Sequence, residues 1–387
     1  MKAILNLLFL LNSFLVLAQK NLAVIKSNTE NVKIIESNEI VTHWTLDPNT
    51  KPDIYICGKI AKSKNVKFIT DIDSLEINLQ PNQKFDFIIL LNGKDSCYTR
   101  FESPKSVNYK KIKPVLHDTI HFKLTDFNNI SVQAVLNKKD TLSLLFDTGA
   151  IDFYLTKEAI KKFLNPNGAQ LTMKDIADNY FEIENLFWEN QQIYPIETTG
   201  QENDGMFGWN AFDGKILEID YDRKIMLVHS KLPKMSSDYE KFQMELMKEH
   251  FCIFLDSEVN GKKYKNRYLF DTGFQKAIIL DDEILKDNNL QSENFVLLNE
   301  TKMINSQKQE IPFKTVLIDK LYVGKYILSK IPSQINSYNQ PAGFKTNFLG
   351  NDILKRFNAI IDFQTNVVYL KPNNLYDEKY FEVGKKI

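Results

Sequence analysis

Cysteine is scarce. Three residues in 387 are too few for a disulfide-built scaffold, and none stands in a CxxC pair that would point to zinc or thioredoxin-type chemistry. Glycine (14) and proline (12) are too sparse for a collagen or a long disordered linker. Excess charge is also missing: 49 basic residues balance 49 acidic ones, which removes the basic footprint that nucleic-acid binding requires. Beyond the N-terminal segment, no apolar run approaches the roughly 20 residues needed to span a bilayer, so no integral membrane span and no nucleic-acid partner are expected. The five histidines, at 43, 117, 121, 229 and 250, are scattered. His117 and His121 lie four apart in a β context, and no HExxH, GxSxG or Walker-type loop is present.

What remains is an ordinary globular composition, 43% hydrophobic with 12% aromatic residues, enough for two or three cores of about 100–150 residues each. The start reads as an address label. Lys2 supplies a small positive region, Ile4 to Leu17 an apolar stretch, and Val16 and Ala18 the small residues of a cleavage site after Ala18. The expectation is an exported protein, periplasmic or secreted, with residues 1–18 as a signal peptide; a retained N-terminal anchor is the alternative. Export permits disulfides. Cys57 and Cys97 can either pair or stand as two buried thiols, with Cys252 left over.

Residues 21–110 read as a small β-rich domain. Asp53–Gly58, Val66–Thr70, Ser74–Asn78 and Lys84–Leu91 alternate apolar and polar residues or form short apolar runs between turn residues, a pattern that fits a β-sandwich. A lysine-bearing stretch from Ser103 to Pro114 reads as a linker.

The rest of the chain holds an internal repeat. Leu145-Phe146-Asp147-Thr148-Gly149 recurs as Leu269-Phe270-Asp271-Thr272-Gly273. Hairpin-like material precedes each motif, an apolar run follows it, and then a helix start, with Thr156 and Asp281 as N-caps. Each unit ends alike: Met206-Phe207-Gly208 or Phe348-Leu349-Gly350, a short helix, and a final hairpin. Asp and the later Gly lie 61 residues apart in the first unit and 79 in the second, so extra loop is expected between Leu290 and Gln340. The units span residues 115–235 and 245–375.

An Asp at the end of a buried strand, followed by a hydroxyl residue and glycine, suits one kind of chemistry. Gly149 and Gly273 offer freedom of backbone angle and close approach, and Thr148 and Thr272 offer hydroxyls to lock two loops together. Two carboxyls held a few ångströms apart share one proton. The ionised one can draw a proton from water while the protonated one donates to the carbonyl under attack. These residues resemble the aspartic protease family, retropepsin-like or pepsin-like, duplicated in one chain of the exported bacterial type. The resemblance covers roughly residues 115–373. It implies two acid-protease β-barrel lobes in a pseudo-two-fold arrangement, with Asp147 and Asp271 as the catalytic dyad. It further implies that Thr148, Gly149, Thr272 and Gly273 support the dyad and that Gly208 and Gly350 lie in the loops that complete it. No metal and no cofactor are implied.

Two departures stand out. Phe274 follows the second motif where the family places Ser, Thr or Ala, as Ala150 does in the first. Its apolar bulk is expected to raise the pKa of Asp271 by desolvation, which makes Asp271 the protonated member. The family's flap hairpin has no clear counterpart: Tyr180-Phe181 and Phe187-Trp188 read as core aromatics, with flap aromatics as the alternative. Asp220 and Asp362 read as turn residues and Asp352 as a helix-start residue. The resulting expectation is a mainly β, aspartic-type endopeptidase acting on a peptide or protein substrate, as a monomer or alternatively a homodimer. The competing expectation is a catalytically impaired peptide-binding protein that keeps the fold.

Overall fold

Period-2 alternation of apolar and polar residues runs through most of this chain, and the structure is mainly β. The computed structural model describes residues 22–36, 39–57, 63–103, 107–165, 176–305, 307–336 and 342–381. The signal-like segment 1–18 lies outside them. The chain divides into two compact units: Met1–Cys57 with Lys64–Ser103, and Gly58–Ser63 with Pro104–Ile387.

The first unit pairs two four-stranded sheets. One orders Ala23–Ser27, Lys84–Leu91, Asp95–Glu102 and Asp53–Ile56; the other orders Glu39–Thr45, Asn31–Glu36, Lys64–Ile69 and Ser74–Leu79. Phe68 of the second sheet meets Phe87 and Phe101 of the first at ring-centroid distances of 5.4 and 5.9 Å, so the two sheets form a sandwich around an aromatic centre. Cys57 and Cys97 are buried free thiols. Burial pushes the Cys57 thiol up to about 12, which keeps it an unreactive thiol at neutral pH.

In the second unit the two repeats fold alike. Ile130–Leu136 pairs antiparallel with Asp140–Asp147, and Gly205–Gly208 lies parallel beside the latter with Gly208 opposite Asp147. Phe153–Thr156 then covers the other side of Gly205–Gly208. In the second repeat, His250–Val259 pairs with Lys262–Phe270, Asn347–Leu349 lies parallel beside it, and Ile278–Leu280 covers that strand's other side. Each motif Asp therefore sits at the exit of a central strand, flanked by the apolar-apolar-Gly segment. The helices begin as expected: the Thr156 hydroxyl accepts from Ala159 N, and the Asp281 carboxylate accepts from Glu283 N and Ile284 N.

The added length of the second repeat is strand rather than the loop expected between Leu290 and Gln340. Val296–Ile304, Glu310–Val323 and Tyr326–Asn336 form a long meander. Glu310–Val323 also pairs with His250–Val259, closing the sheet on itself. Burial alternates along Glu310–Val323 in two phases, Phe313 and Thr315 on one face and then Val316 and Ile318 on the other, the period-2 pattern of a strand. The Ser103–Pro114 stretch is also more ordered than a linker where it is described: Tyr109 N donates to the Gly214 carbonyl, and Lys215 lies over the Tyr109 ring.

One sheet joins the repeats. Its order is Glu240–Gln243, Val367–Pro372, Phe357–Asp362, Ile216–Asp220, Ile225–His229, His117–His121. The central pair brings Ile216 opposite Asp362 and Ile219 opposite Ala359, so the closing hairpin of each repeat is hydrogen-bonded to that of the other. Asp220 and Asp362 take the turn roles read for them, Asp220 accepting from Arg223 N and Asp362 from Gln364 N and Thr365 N. Asp352 lies in the first helical turn but does more than start it. It is buried, is paired with Lys355 and Arg356, and accepts from Phe381 N, tying down the C-terminal segment.

Candidate functional site

The strands Asp140–Asp147 and Lys262–Phe270 end side by side, and their Asp-Thr-Gly turns interlock. Thr148 Oγ1 donates to the Phe270 carbonyl at 2.7 Å and accepts from Thr272 N at 3.0 Å. Reciprocally, Thr272 Oγ1 donates to the Phe146 carbonyl at 2.9 Å and accepts from Thr148 N at 3.0 Å. Both threonines are fully buried. Four hydrogen bonds therefore fix one turn against the other with two-fold symmetry, and no polar atom of either hydroxyl is wasted.

The glycines serve close approach. Neither Gly149 nor Gly273 occupies the left-handed region, so the backbone freedom expected of them is not used. A Cβ on Gly273 would lie 2.2 Å from Asp147 Cγ, and one on Gly149 would lie 2.8 Å from Asp271 Cγ. Each carboxyl thus rests on the opposite glycine. Gly208 and Gly350 are extended and are required by packing: a Cβ there would meet the Ile151 carbonyl carbon at 2.3 Å or the Lys276 carbonyl oxygen at 2.1 Å.

Within each turn, backbone amides orient the carboxylate. Gly149 N and Ala150 N donate to Asp147 Oδ1 at 2.8 and 3.2 Å; Gly273 N and Phe274 N donate to Asp271 Oδ1, both at 2.9 Å. The two carboxyls hydrogen-bond each other. Burial raises the pKa of Asp147. Asp271 is raised further, well above the ordinary aspartate range, first by burial and then by the negative charge of Asp147. At a pH where one proton remains, the pair shares it.

Phe274 leaves this geometry intact. Its amide still serves Asp271, and its ring lies toward Gly350, with Cδ1 2.4 Å from where a Gly350 Cβ would stand. The aromatics weighed as flap residues are placed elsewhere. Phe181 is buried and stacked on Phe153, while Trp188 packs on Phe153 and Phe212 and donates to the Ala211 carbonyl. Tyr180 and Phe187 stack on each other outside the core read for them, Tyr180 half-buried and Phe187 exposed, and Glu184 at the hairpin tip meets His121 of the joining sheet.

Sequence reading missed a residue that braces the second turn from outside. Buried Asn129 donates through Nδ2 to the carbonyls of Thr272 and Gly273 at 2.9 and 2.8 Å. His250 stands at the matching place in the second repeat, half-buried. The available signal was register: Ile130 faces Phe146 and Cys252 faces Leu269, so Asn129 and His250 occupy the same place relative to Asp147 and Asp271.

Among the described residues, no group of three or more His, Cys, Asp or Glu could hold a metal ion, and no helix is long and apolar enough to cross a membrane. No family model matches this chain, and no curated protein matches it.

Proposed function

We propose that this chain is an aspartic-type endopeptidase whose two retropepsin-like lobes each supply one carboxyl to a single site. The observation that carries this reading is the reciprocal threonine lock, which holds Asp147 and Asp271 in mutual hydrogen-bond contact. Asp147, ionised and held by two amides, removes a proton from a water positioned between the carboxyls. Asp271, carrying the shared proton, donates it to the carbonyl oxygen of the scissile peptide bond as that water attacks. As the tetrahedral adduct collapses, Asp147 gives the proton it took from water to the leaving amine and Asp271 recovers one from the adduct's hydroxyl, which restores the dyad. The step needs no cofactor, one chain supplies both acids, and the substrate is an extended peptide or an unfolded protein. The leader-like first 18 residues support a periplasmic or secreted site of action, with a retained N-terminal anchor as the alternative.

The test is cleavage of an unfolded protein from acidic to neutral pH, with and without a statine-type inhibitor. Expected are inhibitor-sensitive cleavage with a bell-shaped pH dependence, and a fall of at least about a hundredfold in Asp147→Asn and Asp271→Asn. Intact substrate at every pH, with retained peptide affinity, would instead identify a binding protein that keeps the fold.

A further inference from the structure

One side chain of the first repeat fastens both peptides that hold the second carboxyl. Asn129 is fully buried, and its Nδ2 donates to two successive carbonyls, Thr272 at 2.9 Å and Gly273 at 2.8 Å. A carbonyl can only accept, so the end of the side chain that faces this pair is the NH2 group. The other end agrees, since Oδ1 accepts from Gln201 Nε2. The main chain of Asn129 is tied as well: its N donates to Thr125 Oγ1 at 3.1 Å, and its carbonyl accepts from Thr125 N at 2.9 Å. Both Nδ2 protons and the side-chain oxygen are therefore in use, and the group is held in one orientation.

A peptide unit is planar and trans, so its C=O and N–H point in opposite directions. The Thr272 carbonyl shares a unit with Gly273 N, and the Gly273 carbonyl shares one with Phe274 N. Those two N–H groups are the donors to Asp271 Oδ1, each at 2.9 Å. Asn129 thus grips the far end of both. The next two carbonyls have other partners, Phe274 O accepting from Asn351 N and Gln275 O from Asn128 Nδ2, and neither belongs to a unit that supplies these donors. Donation to a carbonyl also polarises its peptide, which strengthens the N–H on the opposite side.

We infer that Asn129 is a positioning residue for Asp271: its two Nδ2 protons hold the carbonyls of Thr272 and Gly273, and the rigid peptides thereby aim the N–H groups of Gly273 and Phe274 at the carboxyl oxygen. The catalytic consequence rests on the endopeptidase reading; the clamp does not. On the clamp side, NMR of the full wild-type chain should show both Nδ2 protons of Asn129 in slow exchange, coupled through hydrogen bonds to the carbonyl carbons of Thr272 and Gly273. In Asn129→Leu, close in shape but with nothing to donate, amide exchange at Gly273 and Phe274 should quicken at least about tenfold and stay unchanged at Gly149 and Ala150. On the catalytic side, the same variant should lose roughly tenfold or more in kcat with KM little altered. Its pH profile should move to higher pH, because a carboxyl with weakened N–H donors holds its proton more firmly; the charge of Asp147, which faces Asp271, is unchanged by the substitution. Solvent-fast Nδ2 protons in the wild type, or wild-type exchange at Gly273 and Phe274 in the leucine variant, overturn the proposal, and the wild-type measurement decides it even if that variant does not fold. Quickened exchange with kcat and pH profile unaltered would overturn the catalytic half. A chain that never cleaves substrate yet shows the protected protons and the exchange pattern would sink the protease reading and leave the clamp standing.

Discussion

The most consequential residue is Asp271, because it is buried beside a like charge. Its folded pKa lies well above the ordinary aspartate value, for reasons of burial first and Asp147 second. A group that holds its proton more tightly when folded adds to stability at pH below its unfolded pKa, about 3.9 for Asp. That contribution is lost as pH rises through the raised folded value. At neutral pH the site therefore burdens the fold, as sites built for chemistry do. Asp271→Asn should remove this burden and, on the proposed endopeptidase reading, abolish cleavage. Thermal melts from pH 3 to 8 should show the variant above wild type at neutral pH, with the gap shrinking on acidification. A gap that stays constant with pH would mean that the carboxyl does not titrate as its surroundings require.

At the scale of elements, the interlocked turns are held by hydroxyls whose partners have no other recourse. Replacing Thr148 by valine keeps the shape but strands the Phe270 carbonyl and Thr272 N, at about 1–3 kcal/mol for each buried group left unpaired. Thr148→Ser keeps the hydroxyl and should cost about 1 kcal/mol or less for the lost methyl. Urea melts of the two variants should separate by at least the difference, and equal midpoints would mean that the turns are held by something else. These threonines were legible in the sequence because the motif repeats with its flanks, and the caps at Thr156 and Asp281 because capping chemistry is local. Other features were not legible. Half the strands of the N-terminal sandwich went unread; Ala23–Ser27, for one, finds its pairing partner Lys84–Leu91 far along the chain. The meander from Val296 to Asn336 read as loop because its buried face is set by closure onto His250–Val259. Asn129 was invisible for a related reason: it acts on the other repeat, and nothing beside it in the sequence reports that contact.

For the second unit as a whole, the joining sheet decides whether the repeats are two domains or one. Ile216–Asp220 has its own hairpin partner on one side and Phe357–Asp362 of the other repeat on the second. Leu217, Ile219 and Ile361 are fully buried there. Were the repeats separated, each would expose a long apolar strand edge, an arrangement prone to association. The two carboxyls likewise meet only if both turns are presented together. The repeats should therefore unfold as one body, and damage placed in one should be felt in the other. Ile361→Ala removes a fully buried side chain opposite Leu217, a change that costs about 2–5 kcal/mol in such cores. It should accelerate amide exchange at Ile216–Asp220 of the first repeat as much as at Phe357–Asp362 of the second, and it should lower the melting temperature without splitting the transition. Loosening confined to the second repeat, or a second transition in the melt, would show that each lobe keeps its own stability and that the dyad is assembled by docking rather than by folding.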